Sequence, residues 1–277
     1  MRTTVKIATA ITAAALALAG CSSSGKGGDG GDKDSITIGI KFDQPGLGLK
    51  EGSKYTGFDV DVARYIAKEL GYKEDQIKFT ESVSAQRENM LENGQVDMIV
   101  ATYSITDKRK ERVQFAGPYL VAGQGLLVQN ENTDITGPDT LDGKKLCSVA
   151  GSTPAERIKE KYSQGVQLQE AQGYSECVEL LANGTVDALT TDDSILAGFA
   201  AQDQYKGKLK LAGEPFSEEL YGVGLKKDSD KCQKVNDAIN KMIEDGTWEK
   251  LLKENLGEAY TPNASVNPPK AEGHCAK

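Results

Sequence analysis

The chain has 277 residues, a formal net charge of −8, 38% hydrophobic residues and one histidine, His274. An acidic balance of this size argues against a nucleic-acid partner. A lone histidine near the end leaves little for imidazole catalysis or a histidine-rich metal site, and no cofactor or metal is implied.

Met1–Lys6 carries Arg2 and Lys6, and Ile7–Ala19 is an unbroken run of Ala, Ile, Leu and Thr. A basic start followed by a short apolar run is a secretory signal, and the run is well short of the roughly 20 residues that span a bilayer. It ends at Leu18-Ala19-Gly20-Cys21, which resembles the lipobox of bacterial lipoproteins. That resemblance implies cleavage after residue 20 and lipidation of Cys21. Residues 22–34 read SSSGKGGDGGDKD. Gly, Ser and alternating charge bury no apolar surface, so residues 21–34 are expected to be a tether reaching on the order of 20 Å as a random coil. The body of the chain, from about Ser35 to about Tyr260, is long enough for one large or two small domains.

Within that body, Ile36–Ile40 predicts a strand and Asp59–Leu70 a helix, with Asp59 as N-cap, Gly71 as terminator and Val62, Ala63, Ile66 and Ala67 on one face. Ile77–Phe79 predicts a strand, Ala85–Glu92 a helix and Val96–Ala101 a buried strand. The rhythm then restarts with a strand at Lys145–Val149, helices at Pro154–Lys161 and Ser175–Ala182, a strand at Val186–Thr190 and a helix at Asp193–Ala201. A phrase recurs between the halves: Leu91-Glu92-Asn93-Gly94-Gln95-Val96-Asp97 against Leu181-Ala182-Asn183-Gly184-Thr185-Val186-Asp187. A strand is expected at Tyr221–Leu225, helices at Asp230–Glu244 and Trp248–Asn255, and a loose tail from residue 257 to 277. Alternating strands and helices predict an α/β architecture of parallel sheets with helices on both faces. Two such lobes place a ligand cleft between them, beyond the carboxyl ends of the strands and at helix N-termini. Cys147, Cys177, Cys232 and Cys275 are an even count in an exported chain and allow three disulfide connectivities.

Several segments together resemble one family. Gly57–Ala63 (GFDVDVA), Ala101–Arg109 (ATYSITDKR), Phe115–Tyr119 (FAGPY), Gly151-Ser152-Thr153 and Thr190-Thr191-Asp192 are similar, in order, to the motifs of the polar amino-acid family of solute-binding proteins that serve ABC importers. Lys41–Gly46 (KFDQPG) and Ser84–Arg87 (SAQR) most resemble its glutamate/aspartate-binding lipoproteins from high-GC Gram-positive bacteria. The resemblance implies a two-lobe periplasmic-binding-protein fold of type II, with lobes joined by two hinge strands. The first lobe would be residues 35–121 plus 221–256, and the second residues 122–220. It further implies a monomer on the outer face of the cell membrane that captures glutamate or aspartate by cleft closure and hands it to a permease. No enzymatic step is implied. Glutamine, asparagine or another polar amino acid is the alternative ligand, and an enzyme or a signalling sensor on the same fold are the rival classes.

Chemistry and resemblance together name the ligand set. Arg109 would take the α-carboxylate, because a guanidinium meets a carboxylate bidentately, although by itself the charge run Asp107–Arg112 reads as a solvated face. Thr102 and Ser104 follow the central strand and would add hydroxyl and backbone bonds. Thr153, just before Pro154, would sit at a positive helix end, and Asp192 would take the ammonium group; both also read as helix N-caps. Lys41 and Arg87 would hold a second carboxylate. A cation in the first turn of a helix opposes the helix dipole, which marks Arg87 as placed for another purpose. Tyr174 would add a hydroxyl. Ser84 stands where binders of basic amino acids carry an aromatic residue, which disfavours a large or cationic side chain. Since Cys147 and Cys177 fall in the second lobe, the expected bridges are Cys147–Cys177 and Cys232–Cys275, the latter pinning the tail.

Overall fold

The structure, a computed structural model, describes residues 35–162 and 165–276. The signal, Cys21 and the tether lie outside the described residues. In chain order the first elements are β1 (Ile36–Ile40), β2 (Asp43–Gln44), β3 (Gly48–Glu51), β4 (Lys54–Thr56), α1 (Phe58–Glu69), β5 (Ile77–Glu81), α2 (Arg87–Glu92), β6 (Met98–Ile99), α3 (Asp107–Lys110) and β7 (Val113–Ala122). Next come β8 (Gln124–Gln129), β9 (Lys145–Val149), α4 (Thr153–Lys161), β10 (Gln167–Ala171), α5 (Tyr174–Ala182), β11 (Ala188–Asp192), α6 (Asp193–Ala200) and β12 (Leu209–Ala212). The chain ends with β13 (Glu219–Lys226), α7 (Cys232–Glu244) and α8 (Thr247–Leu256).

Two five-stranded sheets, ordered β5-β1-β6-β13-β7 and β10-β9-β11-β8-β12, organise two lobes, and β2-β3-β4 form a small third sheet. The expected parallel pairing holds for three strands of each sheet and not for the other two. β5, β1 and β6 pair in parallel, as do β10, β9 and β11, but β13 runs antiparallel to β6 and β7, and β8 antiparallel to β11 and β12. In each sheet the reversed strand is the one that has just crossed from the other lobe. The chain turns from β7 into β8 at Gly123, where a Cβ would stand 2.6 Å from the Pro215 side chain and 2.8 Å from the Ser217 carbonyl oxygen. The return crossing runs alongside it: Glu219 pairs with Ala122 in the ladder, and the Gln124 amide donates to Ser217 Oγ at 3.0 Å.

The repeated phrase folds twice in the same way. The helix ends on Asn93 or Asn183, and Gly94 and Gly184 take positive φ (66° and 78°), where a side chain is strained. Asp97 Oδ2 then accepts the Thr37 amide at 2.8 Å, and Asp187 Oδ2 accepts the Lys145 amide at 2.7 Å. Each aspartate thereby aligns a strand with the first parallel strand of its sheet. The expected strand at 96–101 shortens to Met98–Ile99, because the chain leaves the ladder to build the segment that carries Thr102 and Ser104.

Helix α1 packs Val62, Ala63, Ile66 and Ala67 into the core, as their spacing predicts. Its cap differs from expectation. Gly57 occupies the N-cap position at φ 118°, with no room for a Cβ, which would lie 2.1 Å from the Leu47 carbonyl oxygen. Asp59 lies inside the helix, fully buried, and accepts from the Thr102 amide and the Tyr119 hydroxyl, each at 2.8 Å. Helices α7 and α8 return to the first lobe, where Trp248 Nε1 donates to the Tyr119 carbonyl at 2.6 Å. The tail after α8 is held down as well. The Asn267 side chain pairs with both backbone groups of Val121, and Cys275 is bonded to Cys232. The second bridge, Cys147–Cys177, ties β9 to α5.

Candidate functional site

The eight expected ligand residues sit at or just beyond the carboxyl ends of β1, β6 and β11 and at the starts of α2, α4, α5 and α6 or in α3, and all but Thr153 are buried. Lys41 directly follows β1 and is 2% exposed. Burial, then repulsion from Arg87, lowers its pKa from 10.5 to about 8. Its Nζ lies 6.0 Å from the centre of the Tyr174 ring. Tyr174 is the first residue of α5 and is itself buried.

Arg87 is 3% exposed and begins α2, and Ser84 belongs to a short 3-10 turn ahead of that helix. Arg87 Nη1 donates to the Ala101 carbonyl at 2.9 Å, so a backbone oxygen aims the guanidinium. Burial and the nearby Arg109 bring its pKa down from 12.5 to about 10. Arg109, in the short helix α3, donates through Nη1 to the Ser104 carbonyl at 2.7 Å and through Nη2 to the Gly151 carbonyl at 3.1 Å. The second of these bonds spans the lobes. Glu88, beside Arg87 in sequence, pairs instead with Arg109 Nε at 3.4 Å.

Thr102 adopts φ 46°, rare for a residue with a branched Cβ, and Asp59 holds it there by accepting its amide. Its hydroxyl donates to the Ala101 carbonyl at 2.7 Å. Desolvation raises the Asp59 pKa from 3.8 to about 6, although the Tyr119 and Thr102 hydrogen bonds and the cations Arg87 and Lys41 oppose the rise.

From the second lobe, α4 begins at Thr153, and its N-cap is Ser152, whose hydroxyl accepts the Ala155 amide at 3.1 Å. Thr153 is therefore released from capping, and its Oγ1 donates across the cleft to Ser104 Oγ at 3.1 Å. Asp192 stands at the N-cap position of α6 but makes no capping bond. Its Oδ2 accepts from the Tyr221 hydroxyl at 2.7 Å, while its buried Oδ1 has no partner. Burial, and then Glu219, raise the Asp192 pKa well above the ordinary carboxylate value. An oxygen in that condition is stabilised by a cation brought to it.

Contacts that sequence reasoning did not name also cross the cleft. Asp43 Oδ2 accepts from the Ser175 amide and hydroxyl, each at 3.3 Å, and a Cβ on Gly173 would be 2.4 Å from that same oxygen. A groove of about 550 Å³ opens at the outer end of the cleft, where Ser84, Glu88, Arg109, Gly151, Thr153 and Arg157 line it. Of the expected ligand residues, Arg109 and Thr153 line it, while Lys41, Arg87, Thr102, Ser104, Tyr174 and Asp192 do not. Among the described residues, no group of three or more His, Cys, Asp or Glu side chains is arranged to hold a metal ion.

Two α/β lobes joined by paired crossing strands, one carrying the buried cations Lys41, Arg87 and Arg109 and the other a buried Asp192 oxygen without a partner, define a solute-binding protein of the two-lobe periplasmic type. Residues 36–258 match the family of bacterial extracellular solute-binding proteins, family 3, and the chain belongs to that family. It is a binding protein, not an enzyme, and works outside the cytoplasm. The chain is 47% identical to the glutamate-binding protein GluB of Corynebacterium glutamicum, over 93% of this chain and 92% of that protein. It is 36% identical to the ABC transporter glutamine-binding protein GlnH of Bacillus subtilis, over 88% of this chain and 94% of the relative. Among solved structures it is similar to an ancestral arginine-binding protein bound to glutamine, with a TM-score of 0.75 and 32% identity over 82% of this chain and 99% of that one.

Proposed function

We propose that this chain captures glutamate or aspartate for an ABC permease while anchored by lipid at Cys21 to the outer face of the membrane. The carrying observation is the trio of buried cations Lys41, Arg87 and Arg109 in the first lobe, together with the unpartnered buried oxygen of Asp192 in the second. An α-amino acid with a second carboxylate answers each of these groups. Arg109, with Thr102, Ser104 and Thr153 beside it, takes the α-carboxylate; Asp192 takes the ammonium; Lys41 and Arg87 take the side-chain carboxylate, with Tyr174 adding its hydroxyl. The lobes are residues 35–121 plus 221–256, and 122–220. A ligand that bonds to both favours the closed form by its differential affinity, which is how capture becomes a signal to a permease. The receptor acts as a monomer.

The 47% identical glutamate-binding relative supports the acidic ligand. A second reading, glutamine, is favoured by the 36% identical glutamine-binding relative and by Glu88, which already neutralises Arg109 in part. A thermal-shift screen of the twenty amino acids, followed by titration calorimetry with glutamate, aspartate and glutamine, decides between them. Glutamate or aspartate should bind at least tenfold tighter than glutamine; equal or tighter glutamine binding overturns the acidic assignment. For the anchor, Cys21→Ala should release the protein to the medium or leave it unprocessed. Finding the correctly cleaved variant still membrane-bound would refute lipidation.

A further inference from the structure

We infer that Tyr103 is a positioning residue that sets the preference for ligands with two carboxylates, by holding the guanidiniums of Arg87 and Arg109 over one aromatic ring. Tyr103 lies between two expected ligand residues, Thr102 and Ser104, yet it is fully buried in the apolar cluster that contains Leu91, Ile99 and Phe115. The Arg87 guanidinium carbon lies 4.3 Å from the ring centre and that of Arg109 lies 4.9 Å away. The phenol hydroxyl donates to Glu88 Oε1 at 2.6 Å, and the same oxygen pairs with Arg109 Nε. The ring is seated without slack. Phe115 meets it edge-on at 4.8 Å, and a Cβ on Gly224 would stand 2.7 Å from Tyr103 Cε1.

Two guanidiniums this close repel, and in a buried site that repulsion is poorly screened. A binder of a single carboxylate gains nothing from bearing the strain. The ring offsets part of it, because the negative face of an aromatic ring attracts cations most strongly when they are desolvated. The carbonyls of Ala101 and Ser104 then fix the direction of each fork. The result is two guanidiniums held at a fixed separation by the protein itself, so a ligand with two carboxylates meets a preorganised pair instead of ordering it on binding. This inference rests on the acidic-ligand reading above and adds the residue that makes it selective.

The test compares the dissociation constants of glutamate and glutamine for the full-length protein and for Tyr103→Leu and Tyr103→Phe, with circular dichroism and melting curves as fold controls. Tyr103→Leu should lower the glutamate-over-glutamine preference by about tenfold, and Tyr103→Phe, which keeps the ring face and loses only the hydroxyl, should stay within about threefold of wild type. A merely structural role would weaken both ligands alike. An unchanged preference in a folded Tyr103→Leu variant overturns the role of Tyr103 and leaves the acidic reading intact. If Tyr103→Leu does not fold, Tyr103→Phe still decides: loss of its preference would assign the effect to the hydroxyl and Glu88 and overturn the role of the ring. A wild type that binds glutamine as well as glutamate overturns the acidic reading and this inference together.

Discussion

Leu91–Asp97 in the first lobe and Leu181–Asp187 in the second run helix, glycine and strand with matching hydrogen bonds, yet the cleft faces that their sheets support carry opposite chemistry. The first lobe contributes Lys41, Arg87 and Arg109, the two arginines aimed by backbone carbonyls and underlain by the Tyr103 ring. The second contributes Thr153, Tyr174 and Asp192 from the starts of three helices. A duplicated scaffold therefore fixes where strand ends meet, while short segments beyond those ends decide the charge. In the proposed function the difference separates duties: the first face would take anionic groups and the second the ammonium group.

The sharpest way to break this comparison is to remove the cation that every amino acid would use. Arg109→Ala should lower affinity for glutamate and glutamine alike by more than about 3 kcal/mol, since the α-carboxylate loses its partner and Glu88 is left without its ion pair. Calorimetry that found either ligand still bound with near wild-type affinity would end the assignment of the first lobe to the α-carboxylate. Stability separates the lobes in a different way, because each has its own bridge. Replacing Cys147 and Cys177 together by Ala should lower unfolding free energy by about 3–4 kcal/mol in guanidinium titrations, the loop-closure value for a separation of 30 residues. A loss below about 1 kcal/mol would show that the second lobe does not depend on its bridge.

Arg87→Ala sharpens the contrast within the cationic face. It should weaken glutamate by about 2–4 kcal/mol and leave glutamine nearly unchanged, since only the second carboxylate is deprived. Equal losses for both ligands would place Arg87 outside the specificity pocket. The smallest effect expected is that of pH on Lys41. Its folded pKa, about 8, lies below the ordinary value of 10.5, so the unfolded chain binds more protons between these limits. Stability of the ligand-free protein attributable to Lys41 should therefore rise as pH climbs from about 8 to 10.5. Glutamate affinity should move the other way, because a bound carboxylate favours the charged amine. Between about pH 7 and 9 the glutamate-to-glutamine affinity ratio should fall by up to about tenfold, and Lys41→Met should flatten that slope. A ratio independent of pH would remove Lys41 from the ligand's side chain.

How legible the protein was can be judged from particular residues. Sequence reading located the starts of α5 and α6 to within a residue, and the predicted cystine pairs Cys147–Cys177 and Cys232–Cys275 are formed. It misjudged Asp59, whose helix-start position suggests a cap, because the partners that bury it lie 43 and 60 residues away. It read past Tyr103 for a related reason: nothing local announces that this side chain is buried in the core with two arginines above it.

Sequence by itself determined the alternation of strands and helices, the restart of that rhythm in a second half, the even set of cysteines and the identities of the cations. These follow from periodicity, capping and composition, which act over a few residues. Only the tertiary structure decided that β8 and β13 run against their sheets, that Glu88 serves Arg109 instead of its neighbour Arg87, and that one buried oxygen of Asp192 is left without a partner. Those outcomes depend on which distant groups share a buried volume, where an unpaired polar atom or charge is costly and the partner is whichever group the packing brings within hydrogen-bond reach.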